Sequence, residues 1–173
     1  MKLFEKILMA SEDVQSYLVT GRCENELGDG DIVTINELCD HEVYVGMKDM
    51  NAHKIEAGYT AGKPFGIVDY VGVSEPMVQG VRYRVGDKIV GLPVPANTAT
   101  RVRIIMPMDK FFLGDENFDA VPKAGDVCVP SAGGKYAKGA EGNGFCFRVE
   151  YETNKIMGQT NAGKKYYCTV LSV

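Results

Sequence analysis

Residues 145–151 decide the fold class before anything else in the chain does. Phe145, Phe147, Val149 and Tyr151 point to one side of an extended backbone, and Cys146, Arg148 and Glu150 to the other. Alternation with a period of two, carried by aromatic and branched side chains, predicts a half-buried strand. Residues 166–173 are largely apolar on both faces, which predicts a more central strand buried from two sides. The C-terminus is therefore expected to be structural. Upstream, Val127, Cys128 and Val129 form a short run between Gly125-Asp126 and Pro130. The Gly-rich stretch 131–144 reads as a flexible surface loop.

The same signal recurs along the chain. Residues 32–35, 42–46, 67–71, 81–85 and 101–106 are short runs rich in Val, Ile and Tyr, and 109–115 brings a strand into a turn. Twenty glycines supply the turns. Eight to ten strands suit a single-domain all-β barrel or sandwich with long loops, with helix limited to short pieces. A chain of 173 residues buries ~70% of its unfolded surface, enough for a real core. Residues 47–65 show no clear period and carry Gly58, Gly62 and Pro64, so a long surface excursion is expected there.

One device repeats. Gly30-Asp31, Gly86-Asp87 and Gly125-Asp126 each stand just ahead of an aliphatic pair. Glycine supplies an unusual φ and the aspartate caps the turn with its carboxylate, so each opens a strand. The irregular spacing argues against a repeat architecture.

The opening segment follows a different pattern. Leu3, Phe4, Ile7 and Leu8 share one face at helical spacing, with Glu5 and Lys6 off it. Ser11 is placed to cap a second short turn. About ten residues do not hold a helix alone in water, so this face needs a partner, either the domain's own core or another protein. The chain thus divides into an arm at 1–16, helical or extended, and a β-domain at 17–173. Leu3, Phe4, Ile7 and Leu8 are the candidate protein-interaction residues.

Charge and cysteine usage narrow the function. A net charge of −4 and a pI near 5.2 argue against a general nucleic-acid binder. No apolar run approaches the length of a membrane span. Five cysteines (Cys23, Cys39, Cys128, Cys146, Cys168), with no secretory signal, are expected to be free, mostly buried thiols in a reducing compartment.

Motifs for chemistry are weak. Gly158 to Lys164 fits the first seven positions of a phosphate-binding loop, but Lys165 stands where Ser or Thr is needed and a β-run follows, so a hairpin loop is expected. Cys39, His41 and His53 have neither a metal-ligand spacing nor a nucleophile signature. Asp109, Asp115, Glu116 and Asp119 around Phe111-Phe112 read as a solvated loop, not a glycosidase pair. No enzyme, no metal and no cofactor is expected.

The order of motifs does carry a resemblance. It runs through residues 80–90 with Arg82, Val85, Gly86 and Asp87, then Asp109, Lys110 and Phe111. Next come 122–130 with Gly125-Asp126, a loop around Gly133, Gly134, Lys135 and Tyr136, and a closing pair of strands. Over roughly residues 60–173 this resembles head decoration, or capsid-stabilising, proteins of tailed bacteriophages. The resemblance implies a β-domain in the virion, assembled in the host cytoplasm, that binds major capsid protein from outside and bridges neighbouring subunits. It implies no catalytic residues, no nucleic acid and no membrane. Self-association, as a trimer, is a further expectation. Two rival classes are a receptor- or carbohydrate-binding module using exposed Tyr59 and Tyr136, and a small hydrolase built on Cys39 with His41 or His53.

Overall fold

In the computed structural model, which describes residues 2–70, 93–142, 144–153 and 164–173, strands dominate and helix is limited to single turns. The chain opens with strand β1 (Phe4–Leu8) and one helical turn, α1 (Ala10–Asp13). Then follow β2 (Leu18–Arg22), β3 (Ile32–Asp40), β4 (Lys48–Ala57), β5 (Phe65–Asp69) and β6 (Ala99–Ile104). The remaining strands are β7 (Lys110–Gly114), β8 (Val127–Pro130), β9 (Tyr136–Lys138), β10 (Cys146–Thr153) and β11 (Lys165–Ser172).

These strands form two layers. Strands β2-β4-β3-β5-β6 close into a barrel, in which only β2 and β4 run parallel. Strands β1-β7-β11-β10-β8-β9 make an antiparallel sheet. Period-2 alternation divides the barrel strands between two cores. Val33, Ile35, Val68 and Val102 fill the barrel with Ile55. Their neighbours Ile32 and Ile67 point outward onto Phe111, Phe147, Tyr166 and Cys168 of the sheet. A strand with two apolar faces is thus what this architecture requires at β3 and β5.

A buried polar seam ties the layers together. The Tyr136 hydroxyl donates to the Gly30 carbonyl at 3.1 Å. Asn117 is fully buried, and its Oδ1 accepts from the amides of Leu3 and Gly114 while its Nδ2 donates to the Asp29 carbonyl. On β6, buried Arg103 donates to Asp69 on β5 at 2.7 Å and to Ser11 of α1.

Of the two forms expected for the opening segment, helical or extended, the chain takes the extended one at Phe4–Leu8, although its apolar spacing reads as helical. Residues Phe4 to Leu8 pair with β7, with a register shift between Lys6 and Leu8. Leu3 and Phe4 are buried in the protein's own core, whereas Ile7 and Leu8 are exposed. The apolar spacing looked helical because that register shift displaces the second pair from the core-facing pattern of the first.

Three other expectations are corrected. Residues 48–57 are strand β4, not a surface excursion; only Ala52 and Ile55 of it are buried, Ile55 in the barrel core, and register shifts against β3 hide the period. Residues 42–46 are not a strand but the tip of the β3–β4 hairpin, where the alternation meets no partner. Tyr151 does not share the face of Phe147 and Val149. A register shift between Val149 and Tyr151 turns it over, and it stacks on Tyr167 with centroids 5.0 Å apart.

Two of the three Gly-Asp turns are built as expected. Gly30 and Gly125 take φ of +84° and +89°, and Asp31 and Asp126 accept from the amides of Gly28 and Lys123. Gly86-Asp87 and residues 158–163 lie outside the described residues. All five cysteines are free and buried.

Candidate docking surface

Among the described residues, a run of exposed large apolar side chains stands at the hairpin tip between β3 and β4 and the start of β4. Val43, Tyr44, Val45, Met47 and Met50 all stand in solvent there, Val45 completely, at 104% of its reference area. Concentrated apolar exposure of this kind marks an interaction site more often than it occurs by chance.

The tip has a defined shape. The His41 amide donates to the Met47 carbonyl at 2.9 Å and the Met47 amide to the Tyr44 carbonyl at 3.2 Å. Gly46 takes φ of +83° with open space around its Cα, so the turn crosses the left-handed region without strain. Inside the turn, the His41 Nδ1 accepts from the amides of Val43 and Tyr44 at 3.1 and 3.2 Å. The His41 and Tyr44 rings lie 4.9 Å apart.

Below the tip sits a collar of charges paired with one another. Arg22 reaches Glu42, and Asp49 at 3.6 Å; Lys48 holds Asp40. The hydrogen bond from Lys48 holds the Asp40 carboxyl below the usual carboxylate range. A collar whose charges are all paired, with three carboxylates against two cations, suits an apolar seat on a protein better than an anionic surface, which would call for unpaired basic residues.

A cleft of about 480 Å³ opens beside the collar, lined by Arg22, Cys23, Cys39, Lys54, Ile55 and Asn97 among others. Burial pushes the Cys39 thiol up from its ordinary value, which keeps it protonated and a poor nucleophile. His41 is committed to its own turn, and the His53 Nδ1 lies 2.9 Å from the Asn36 carbonyl. Among the described residues, no group of three His, Cys, Asp or Glu is placed to hold a metal ion.

The other residues singled out in the sequence are dispersed. Leu3 and Phe4 are core; Ile7 and Leu8 are exposed on β1. Tyr136 is not an exposed loop ring but fully buried, and Tyr59 packs edge-on against Phe65 at 5.0 Å. The carboxylates serve separate turns: Asp109 accepts from Ala10 and Met106, Asp115 from the Glu116 amide, and Asp119 from Ser131. The hairpin tip itself escaped sequence reasoning, because Val43, Tyr44 and Val45 look like strand until the chain is seen to turn there.

No protein-family model, curated protein or solved structure matches this chain.

Proposed function

We propose that this protein is a virion structural component that binds the outside of an assembled phage capsid and bridges major capsid protein subunits, with the hairpin tip as its docking element. The observation that carries the reading is the concentration of Val43, Tyr44, Val45 and Met47 on one shaped turn above a collar of paired charges. The second half of the motif order supports it. Residues 122–136 and the closing strands lie together as β9-β8-β10-β11, one continuous part of the sheet. Fully burying side chains like these contributes roughly 1.5–3 kcal/mol each, against an association cost of about 4–15 kcal/mol. A single seated tip therefore binds weakly, and engagement of adjoining subunits by one molecule supplies the rest.

The test is occupancy on capsids. Purified protein is mixed with phage heads that lack it, and bound copies are imaged by electron microscopy. Wild type is expected to decorate the outer surface in register with the lattice. Val45→Asp with Tyr44→Ser is expected to leave the melting temperature unchanged and the surface bare. Decoration by the double variant at wild-type level would move the docking surface elsewhere, and bare heads with wild type would end the capsid reading.

A further inference from the structure

The cleft beside the collar opens where two barrel strands part. β2 and β4 pair in parallel from Thr20 opposite Ala52 to Arg22 opposite Lys54, and the pairing stops there. Beyond it Cys23 and Glu24 leave on one side, while Ile55 and Glu56 continue along β3 on the other. Asn97 forms a further wall; it takes φ of +59° and donates its amide to the Cys23 carbonyl at 2.7 Å. Ile55, Cys23 and Cys39 are buried and make an apolar floor. At about 480 Å³ the cleft falls within the range of about 300–1,000 Å³ usual for small-ligand pockets. Charge around it is uneven. Both cations of the lining are engaged, Arg22 by Glu42 and Asp49, and Lys54 by Glu37 at 3.1 Å. Its two carboxylates, Glu24 and Glu56, have no cationic partner among the described residues, and the Asn25 and Asn97 carboxamides accept no hydrogen bond there.

We propose that this cleft seats a lysine or arginine side chain of the docking partner, its aliphatic stem on Ile55, Cys23 and Cys39 and its cationic head against the Glu24 and Glu56 carboxylates. Long basic side chains divide in this way, with the stem along apolar surface and the head in polar surroundings. Such a head carries only donors, and the Asn25 and Asn97 carboxamide oxygens offer it further acceptors. An anion would meet two unpaired carboxylates, and a purely apolar group would gain nothing from them. The partner follows from Arg22, which lines the cleft and also pairs with Glu42 and Asp49 of the collar. A surface seated on the hairpin tip thus lies one side chain away from the cleft. Apolar burial at the tip is non-directional, and a charged anchor beside it fixes the register of docking. The choice of partner rests on the capsid reading; the preference for an organic cation does not.

The experiment has two arms. In the first, labelled protein at low salt is titrated with N-acetyl-lysine amide, N-acetyl-arginine amide and the uncharged N-acetyl-norleucine amide, and backbone amide signals are followed by NMR. Signals of residues 23–25, 55–57 and 97 are expected to move. The two cationic probes should bind about tenfold more tightly than norleucine, the scale of two exposed ion pairs. Equal affinity for the lysine and norleucine probes in wild type, or shifts confined to other parts of the surface, overturns the proposal without any variant. Glu24→Gln with Glu56→Gln keeps both shapes and removes both charges, so the cationic probes should fall to the norleucine level. An undiminished preference for them in the double variant also overturns the proposal. In the second arm, occupancy on phage heads is measured against protein concentration. The double variant is expected to need about tenfold more protein than wild type for the same occupancy. Equal occupancy, with the probe preference intact, overturns the partner assignment and leaves a site for a free cation such as a polyamine. Bare heads with wild type end the capsid reading, and the first arm alone then decides whether the cleft takes a cation.

Discussion

The Phe4 amide donates to the Asp29 carboxylate at 2.8 Å, across 25 residues of chain. The other oxygen of the same carboxylate accepts from Tyr70 at 3.0 Å, just beyond β5. One buried side chain thus fastens the first strand to the barrel, and Lys2 adds an ion pair to Asp31 at 2.6 Å. The opening segment is part of the fold's own framework.

Phe4 packs on Phe111 with centroids 5.6 Å apart and is fully buried. Phe4→Ala is therefore expected to cost about 3–5 kcal/mol through lost contacts and a cavity. Ile7 is 43% exposed, and Ile7→Ala should cost under about 1 kcal/mol. Thermal denaturation of the singles and the pair checks this, with a drop of roughly 10 °C or more in every protein that carries the Phe4 change. An unchanged melting temperature in Phe4→Ala would contradict the packing of β1.

Met108 marks a third turn of the Gly-Asp type, without the glycine. It takes φ of +72°, the Met106 carbonyl accepts from the Asp109 amide, and the Asp109 carboxylate accepts from the amides of Met106 and Ala10. A side chain in the left-handed region costs about 1–2 kcal/mol, part of which glycine returns as chain entropy. Met108→Gly is expected to stabilise by up to about 1 kcal/mol, and Asp109→Ala to destabilise by about 2–3 kcal/mol. Urea titration measures both, and a stabilised Asp109→Ala would refute the capping role.

What the sequence made legible, and what it hid, divides along physical lines. Strands whose alternation is set by burial on a continuous ladder stood out: β3, β6, β10 and β11 all appear where the period-2 runs placed them. So did the turns at Gly30-Asp31 and Gly125-Asp126, where φ and a carboxylate act locally. Register shifts hid the rest. At β1, at β4 and near Tyr151, one displaced residue reverses which side chains face the core, and no local pattern announces it. The hairpin tip was misread for the opposite reason. Its alternation is real, but among the described residues no strand pairs with it.

Two buried aspartates give the protein an unusual acid response. Burial raises the pKa of Asp31 despite its bonds to Lys2 and Gly28, and raises that of Asp109 despite the amides of Ala10 and Met106. A native pKa above the unfolded value means the folded state binds the proton more tightly. The stability so gained is present below the ordinary carboxylate value of about 3.9 and is lost as pH rises through the raised one. Asp31→Asn removes that slope. Its stability relative to wild type should therefore rise as pH climbs above about 4, as read by denaturant midpoints. A relative fall would show that the Lys2 pair outweighs burial.

All five thiols are buried, and burial pushes Cys128 up to about 12, with the Asp126 carboxylate adding to it. Thiol labelling at neutral pH should give close to none in the native protein and five under denaturing, non-reducing conditions. Fewer than five after denaturation would reveal a disulfide.

Asn117 permits the sharpest test of the seam between sheet and barrel. Its one amide group serves Leu3 at 2.9 Å, Gly114 at 3.1 Å and the Asp29 carbonyl at 2.8 Å, and Gly30 leaves no room for a Cβ, which would stand 2.7 Å from the Asn117 Nδ2. The Gly114 amide also reaches the Leu3 carbonyl at 3.0 Å, so it is insured; the Leu3 amide and the Asp29 carbonyl both lose this partner in Asn117→Ala. Buried groups deprived of a partner cost about 1–3 kcal/mol each, which sets an expected loss of about 3–5 kcal/mol. Asn117→Asp is more discriminating. It keeps the acceptor for Leu3 and Gly114 but turns a carboxylate oxygen toward the Asp29 carbonyl, so at neutral pH it should be about as unstable as the alanine variant. A protonated carboxyl can donate to that carbonyl, so stability relative to wild type should recover as pH falls toward about 4. If Asn117→Asp matches wild type at neutral pH, or shows no recovery on acidification, the Asn117–Asp29 bond is not what joins the two layers.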